Sequence, residues 1–202
     1  TWYVDVQGVP PGVGTQAEPY TSIQYAIARP ATVHGDTLLV APGEYVESLD
    51  TLFKDLSIHS TGGPLETRID GRVNLVESSL EGFWIGGLNA NISTLGATVS
   101  RCVVDGSQSA FNRGIFLDDY STIDRVTVFG FQTGLLEFLF SGGFSRVENS
   151  IFFGNVLDVR LFAACGNGDV VQYCVIGTAQ GFNSTCGIGN LLGIDPLCWN
   201  LA

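Results

Sequence analysis

Two adjacent carboxylates, Asp118 and Asp119, are the residues of this 202-residue sequence best suited by type and spacing to do chemistry. A pair of carboxyl groups supplies the acid and the base, or the acid and the nucleophile, of glycoside cleavage, and carboxylates also bind Ca²⁺. The pair directly follows the apolar run 115–117, which places it at the end of a strand. Successive side chains of a strand point to opposite faces, so we favour a solvated turn over a cooperating pair.

Polar columns flank a strand that recurs along the chain, and Arg125 in one of them is a second candidate. One column contains Glu81, Ser100, Asp124 and Glu148, and the next contains Gly82, Arg101, Arg125, Asn149 and Gln172. Opposite charges on neighbouring strands compensate one another, so we interpret both columns as structural. His34 and His59 stand alone without a Ser or Cys nucleophile pattern, which argues against a catalytic triad.

These columns follow from a pattern that recurs five times: an apolar residue, then a mostly apolar one three positions on, another apolar one, and a glycine. The copies are Leu80-Phe83-Ile85-Gly87, Val99-Cys102-Val104-Gly106, Ile123-Val126-Val128-Gly130, Val147-Ser150-Phe152-Gly154 and Val170-Tyr173-Val175-Gly177. Their glycines are separated by 19, 24, 24 and 23 residues, which is too short for crossover helices. Such spacing matches one turn of a parallel β-helix, whose turns lie ~4.8 Å apart. The alternative is an antiparallel sandwich, which has short strands but no recurring unit.

An amphipathic helix is predicted near the N-terminus, where Ile23, Ala26 and Ile27 follow the N-cap candidates Thr21 and Ser22. It would cap the open end of the solenoid. We therefore predict a single all-β domain over residues 1–202. An N-terminal strand and capping helix occupy 1–34, and about seven rungs of a parallel β-helix with a C-terminal cap occupy 35–202.

Four segments carry a family resemblance: Tyr3-Val4-Asp5, Ser22-Ile23-Gln24-Tyr25-Ala26-Ile27, Gly35-Asp36-Thr37-Leu38-Leu39-Val40-Ala41-Pro42-Gly43-Glu44-Tyr45 and Gly193-Ile194-Asp195-Pro196-Leu197. They resemble the pectin-lyase-like superfamily, which implies a right-handed, single-stranded parallel β-helix. Asp118-Asp119 then resembles the acid pair of polygalacturonase-type members, and Arg125 resembles the base of a pectate-lyase-like site, which also needs Ca²⁺.

The rest of those patterns is missing. No Gly-His-Gly and no Arg-x-Lys follows the acid pair, and neither a Ca²⁺ cluster nor a basic groove is visible. The superfamily includes non-catalytic adhesins as well as enzymes, so fold alone does not give the activity. We predict no catalytic residue and no cofactor, with Ca²⁺ the one ion that the resemblance allows.

The cysteines predict disulfides if the turns align as proposed. Cys165-Gly166-Asn167-Gly168 and Cys186-Gly187-Ile188-Gly189 are 21 residues apart, and Cys174 and Cys198 are 24 apart. Equivalent positions on adjacent turns lie ~5 Å apart, within the range of a disulfide, so we expect both pairs to be bridged. Cys102 is expected to be a buried thiol, and the absence of a CxxC pair argues against a metal site. Disulfides indicate a secreted or cell-surface protein.

Composition limits the partners. The net charge is −11, charged residues make up only 14% of the chain, and the mean hydropathy is +0.27. The chain has no basic stripe, which argues against nucleic-acid binding. It also has no run of 18 apolar residues, so we predict no membrane span. Two sequons, at Asn91 and Asn183, would be glycosylated only in a suitable host.

An apolar exterior is the most informative feature for function. If the repeat's apolar positions face inward, the residues between them face outward and stack into an apolar stripe. These residues are Trp84, Val103, Ile151 and Cys174 in one column, and Phe129, Phe153 and Ile176 in the next. Soluble monomers seldom expose such a patch, so it would meet another copy of the chain unless a C-terminal segment covers it.

Two functions remain open. The one we place first is a secreted structural or adhesive solenoid, without catalytic activity, that self-associates through Trp84, Val103, Phe129, Ile151, Phe153 and Ile176 as an oligomer or filament. The alternative is a polysaccharide lyase, a glycoside hydrolase or a polysaccharide-binding module, as the resemblance implies.

Overall fold

The computed structural model describes residues 1–137, 144–161, 170–181 and 187–193. These residues form one short helix, α1 (Ile23–Ala28), and strands that pair in parallel throughout. The strands are β1 (Trp2–Val4), β2 (Thr37–Val40), β3 (Gly43–Tyr45), β4 (Leu49–Asp50), β5 (Ser57–Ser60), β6 (Thr67–Val76), β7 (Ser79–Glu81), β8 (Trp84–Leu95), β9 (Thr98–Ser100), β10 (Val103–Asp105), β11 (Arg113–Leu117), β12 (Thr122–Asp124), β13 (Thr127–Phe129), β14 (Thr133–Glu137), β15 (Arg146–Glu148), β16 (Ile151–Phe152), β17 (Leu157–Arg160), β18 (Val170–Gln172), β19 (Val175–Ile176), β20 (Ala179–Gln180) and β21 (Leu191–Leu192).

The strands coil into a parallel β-solenoid of about six turns, which confirms the predicted fold with a slightly smaller number of turns. The first face is an eight-stranded sheet in the order β1-β2-β5-β7-β9-β12-β15-β18. A 13-stranded sheet forms the other two faces, because β6 and β8 are long enough to run around a corner. The second face contains the start of β8, then β10, β13, β16, β19 and β21. The third face contains the end of β8, then β11, β14, β17 and β20.

The core is a set of columns in which equivalent apolar residues stack from turn to turn. Along the first face Leu80, Val99, Ile123, Val147 and Val171 pair in register, and none is more than 2% exposed. Burial of one such side chain contributes about 1.5–3 kcal/mol, so the repeated column stabilises the whole solenoid.

The last copy of the repeat was predicted one residue too early. The buried residues are Val171, Cys174 and Ile176, whereas Tyr173 is 52% exposed. The register explains the difference, because Val147 pairs with Val171 and so keeps the 24-residue spacing of the preceding turns. Gln172 accordingly aligns with Glu148, and Tyr173 takes the position next to it.

The bend between the first and second faces contains one left-handed residue in each of five successive turns. Gly82, Arg101, Arg125, Asn149 and Tyr173 all have positive φ, between 51° and 82°. A side chain in this conformation is strained, and it persists here because the ladders on both sides fix the backbone. The four non-glycine side chains are exposed, so the bend presents a ridge of side chains to solvent.

The N-terminal end is covered by α1, as predicted. Ser22 is the N-cap, and its hydroxyl accepts a hydrogen bond from the backbone N–H of Tyr25 at 3.0 Å. Lys54 donates from Nζ to the carbonyl of Ile27 at 2.6 Å near the other end of the helix. The only lysine of the chain is therefore used to hold the cap. In the described part of the chain, no helix is long and apolar enough to cross a membrane.

Candidate functional site

Asp118 and Asp119 follow β11 but have different surroundings. Asp118 is partly exposed, and its Oδ1 accepts a hydrogen bond from the backbone N–H of Asp119 at 2.8 Å. Burial raises the pKa of the Asp118 carboxyl, although this hydrogen bond acts in the opposite direction. Asp119 is only 2% exposed. The two carboxyl groups therefore do not share a surface on which a ligand would meet both.

Arg125 projects from the bend between the first and second faces and is held in an ion pair. Its guanidinium lies 2.6 Å from Asp124 Oδ2, and Asn149 donates to Asp124 Oδ1 at 2.8 Å. The strand β12 separates Arg125 from Asp118, so these candidates do not form one site.

Similar pairs hold the rest of the two polar columns. Glu81 lies 3.1 Å from His59 and 2.8 Å from Arg101 on the neighbouring turns. Glu148 pairs with Arg146 and accepts from Gln172 at 2.6 Å. Glu81 makes the compensation across neighbouring turns that the sequence indicates, whereas Arg125 and Arg146 pair with carboxylates of their own turns.

A groove of about 480 Å³ opens on the third face, and it collects polar and aromatic side chains. Its floor is the outer surface of β8 and β11, and one wall is the loop at 106–112. The lining residues are Asn91, Ser93, Ala110, Phe111, Asn112, Arg113 and Phe116. The wall is fixed to β8, because Ser109 Oγ donates to the carbonyl of Ala90 at 2.9 Å and the Ala110 N–H donates to Leu88 at 2.8 Å.

Asn91 anchors the floor of this groove. It is 7% exposed, and its Nδ2 donates to the carbonyl of Arg113 at 2.9 Å on the next turn. Within the described residues no donor approaches its Oδ1, which leaves that oxygen for a ligand. Because the amide is buried and hydrogen-bonded, the folded protein does not present the sequon at Asn91 for glycosylation. Asn183 lies outside the described residues.

Arg113 and Phe116 form the charged and aromatic part of the groove. The Arg113 guanidinium carbon lies 5.8 Å from the centre of the Phe116 ring, a cation–π arrangement that orients the charge. Arg68, Arg101, Arg125 and Arg146 each have a carboxylate partner. Arg113 has no carboxylate within ion-pair distance among the described residues.

Arg72 extends this positive region along the solenoid. It pairs in register with Asn91 on the neighbouring turn, is exposed, and likewise has no carboxylate partner in the described part of the chain. Arg72 and Arg113 thus place two positive charges on the third face of a protein of net charge −11. Guanidinium forks bind carboxylates through two parallel hydrogen bonds, while Asn and Ser side chains suit hydroxyl groups.

Sequence reasoning did not identify this groove. From the sequence, Asn91 was considered only as a glycosylation site, and Arg72, Phe111 and Arg113 were not considered. The signal that would have found Arg113 is the lack of an acidic residue at the neighbouring register position, which is occupied by Thr133. The wall at 106–112 does not repeat, so periodicity gives no information about it.

The predicted apolar stripe is present on the second face with two corrections. Its first column is Trp84, Val103, Thr127, Ile151, Val175 and Leu191 in register, and Phe129 and Phe153 lie beside it. Ile176 and Cys174, which were predicted to face outward, are fully buried. The one-residue shift of the last repeat is the cause. Trp84, Val103, Phe129, Ile151 and Phe153 are only partly exposed, since neighbours in a flat sheet shield one another.

The described cysteines are free thiols. Cys102 is buried, as predicted, and Cys174 is also a buried free thiol, which does not support the expected Cys174–Cys198 disulfide. Cys174 occupies the inward core position equivalent to Cys102, and its Sγ contacts the carbonyl of Val147 at 3.7 Å. Cys165, Cys186 and Cys198 lie outside the described residues, and with them the Cys165–Cys186 pair. No cluster of three potential metal ligands occurs in the described ranges.

This architecture is that of a parallel β-helix with the pectate lyase-like fold. The crystal structure of pectate lyase Pel9A matches with a TM-score of 0.56 over 96% of this chain and 70% of that chain, at 14% sequence identity. A rhamnogalacturonan lyase matches with a TM-score of 0.43 over 86% of this chain and 73% of that chain, at 12% identity. No protein-family model and no curated protein sequence matches the chain. The likeness is therefore one of fold.

Proposed function

We propose that this protein binds a carboxylated polysaccharide in the groove on the third face. The observation that carries the proposal is the Arg113 guanidinium, which has no carboxylate partner among the described residues and lies over Phe116 in a groove also lined by Asn91, Ser93 and Asn112. A carboxylate of the ligand would accept from the Arg113 fork, and sugar hydroxyls would bond to the amide and hydroxyl groups. The apolar faces of sugar rings would pack on Phe111 and Phe116.

Charge supports an acidic ligand at this place despite the acidic chain. At physiological ionic strength the field of distant carboxylates is screened within ~8 Å. Arg72 and Arg113 lie two turns apart on this face, ~10 Å at the spacing of parallel strands, so both reach the same bound chain. The pectate lyase fold of the Pel9A structure favours the same class of ligand.

The proposal is for binding rather than cleavage. Among the described residues no carboxyl group or lysine lines the groove. Lys54, the only lysine, is hydrogen-bonded at the N-terminal cap. A ligand of this kind lies outside cells, which supports the expectation of a secreted or surface protein.

Titration calorimetry with polygalacturonate and with a neutral galactan tests the proposal. We expect the wild type to bind the carboxylated chain more tightly, and Arg113→Gln to weaken that binding at least about tenfold. Arg101→Gln is the matched control, because Arg101 is also exposed but pairs with Glu81 at the bend between the first and second faces. Equal effects of the two substitutions, or no binding by the wild type, would exclude the groove as the site.

Self-association is a second candidate function, and the stripe on the second face favours it. From Trp84 on β8 to Leu191 on β21 the first column of that face contains no charged side chain. Trp84 also packs edge-on against Phe129 with ring centres 6.3 Å apart, which joins the two columns, although Asp105 stands beside Phe129 in the second column. Such a surface is suited to contact a second copy of the chain.

A further inference from the structure

We infer that Tyr120 and Phe144 form a second saccharide contact, a stacking platform at the bend between the third and first faces. The inference rests on the proposed function and extends it to a longer ligand. Tyr120 lies two residues before Thr122, and Phe144 lies two residues before Arg146, the residues that pair in register on β12 and β15. The two aromatic residues thus occupy equivalent positions on adjacent turns, ~4.8 Å apart along the axis.

Both rings are far more exposed than packing requires. Tyr120 is 64% exposed and Phe144 is 58% exposed, whereas the aromatic residues of the stripe are partly buried. Within the described residues the Tyr120 side chain makes no hydrogen bond and no ring contact. Exposed rings on adjacent turns present the apolar surface on which sugar rings stack.

The backbone of Tyr120 is strained, and its exposed side chain gains little stability from packing. Its φ is +60°, and Glu77 and Gly96 occupy the same bend on the two preceding turns with φ of +53° and +61°. Glycine adopts this conformation freely, whereas a tyrosine there costs about 1–3 kcal/mol. Tyr120 therefore holds an exposed ring on a backbone that the ladders on both sides fix, as they do at Glu77 and Phe53.

Gly96 leaves room beside Tyr120. A Cβ built on Gly96 would meet only Glu77, at 3.6 Å from its Cγ. Since Glu77 and Tyr120 are two turns apart, the missing side chain opens a notch ~10 Å wide along the axis. Tyr120 bounds this notch on one side and the Glu77 carboxylate, which accepts hydrogen bonds from sugar hydroxyls, bounds it on the other.

The surroundings identify a hydroxyl-rich ligand rather than an apolar one. The outward residues that follow this bend on the first face are Ser79, Thr98 and Thr122, and on the turn of Phe144 the exposed Arg146; all are in register and partly or fully exposed. Hydroxyl groups beside aromatic rings suit a saccharide. Phe116 in the groove and Tyr120 are four residues apart along one strand and its bend, ~13 Å, so one chain of several sugar units spans both.

The test compares long and short ligands. We expect the double variant Tyr120→Gly, Phe144→Ala to bind long polygalacturonate about tenfold more weakly. Its affinity for a short oligosaccharide that fills only the groove should be unchanged. Glycine suits the φ of Tyr120, so the variant keeps or gains stability and a loss of binding is not due to unfolding. Tyr173→Gly is the matched control, because Tyr173 is 52% exposed with φ of +55° but lies at the bend between the first and second faces.

A second variant fills the notch without removing a ring. Asparagine tolerates the left-handed backbone at position 96. Gly96→Asn is therefore expected to weaken binding of the long chain and not that of the short oligosaccharide. Equal binding of the long chain by wild type and both variants would overturn the platform while leaving the groove intact. A wild type that binds neither ligand would overturn the proposed function itself. A change in sedimentation of the double variant would instead assign the rings to a contact between copies.

Discussion

The guanidinium of Arg113 lies 5.8 Å from the centre of the Phe116 ring and has no ion-pair partner in the described part of the protein. The ring fixes the position of the charge without neutralising it. An acidic ligand therefore meets an oriented fork and does not have to displace an internal carboxylate first. This arrangement distinguishes Arg113 from Arg101, Arg125 and Arg146, which are held by their neighbours on the first face and its bend.

Arg113→Lys tests whether the fork matters beyond its charge. A lysine keeps the positive charge but offers a point donor instead of two parallel N–H groups. We expect carboxylated polysaccharide to bind about 5- to 10-fold more weakly to this variant, and neutral galactan to be unaffected. Calorimetry at low and high salt checks it, and full retention of affinity by the lysine would show that only net charge counts.

Val126→Asp tests the register of the core. Val126 is 1% exposed, and an unpaired carboxylate at that position costs several kcal/mol, so we expect no folded protein. The control is Thr127→Asp, at the next residue, which begins β13 and is partly exposed. Circular dichroism and soluble yield decide, and a folded Val126→Asp protein would be incompatible with this core.

The core was predictable because it repeats, and the candidate site was not because it does not. Val99, Ile123 and Val147 follow from their spacing alone. The error at Tyr173 arose where the spacing of 24 residues was not enforced on the last copy, and that one-residue shift misplaced Ile176 and Cys174. Asn91 and Arg113 meet only through the fold, since a hydrogen bond across adjacent turns and a non-repeating wall bring them to one groove.

The buried thiols should resist modification in the native state. Burial raises the pKa of Cys102 to about 12 and that of Cys174 to about 11, so almost no thiolate is present at pH 8. We expect an alkylating reagent at that pH to leave both unlabelled until denaturant is added. Mass spectrometry after labelling checks this. If Cys174 stayed unlabelled in denaturant until a reductant was added, it would be bridged after all.

Asp124 and Asp118 should affect the pH dependence of stability in opposite directions. Burial acts to raise the pKa of Asp124, but hydrogen bonds from Asn149 and Arg125 outweigh it, and the pKa falls below the ordinary 3.8. Its contribution is therefore present above 3.8 and lost as the pH falls below that value. The raised pKa of Asp118 means that its contribution is present below 3.8 and lost as the pH rises through the folded-state value.

Thermal unfolding between about pH 3 and 7 measures both effects. Asp124→Asn should lower the Tm at neutral pH and flatten its decline in acid, whereas Asp118→Asn should leave the neutral Tm unchanged or raise it. Parallel curves for the two variants would contradict the assigned directions.

The second face gives the last prediction, which concerns association. Phe129 and Phe153 lie at equivalent positions on successive turns, beside a column that runs from Trp84 to Leu191 without a charge. Each residue of the stripe is only partly exposed, so each contributes less than the 1.5–3 kcal/mol of full burial, and several must act together to offset the entropy of association.

Phe129→Lys with Phe153→Lys places two cations within this surface and opposes its burial. If the stripe joins copies of the chain, light scattering should show a concentration-dependent mass for the wild type and a monomer for the double variant. Phe53→Lys, which adds a cation outside the stripe, should behave like the wild type. A wild type that stays monomeric at high concentration would contradict self-association. Ligand binding in the groove on the third face would then be the function that the structure supports.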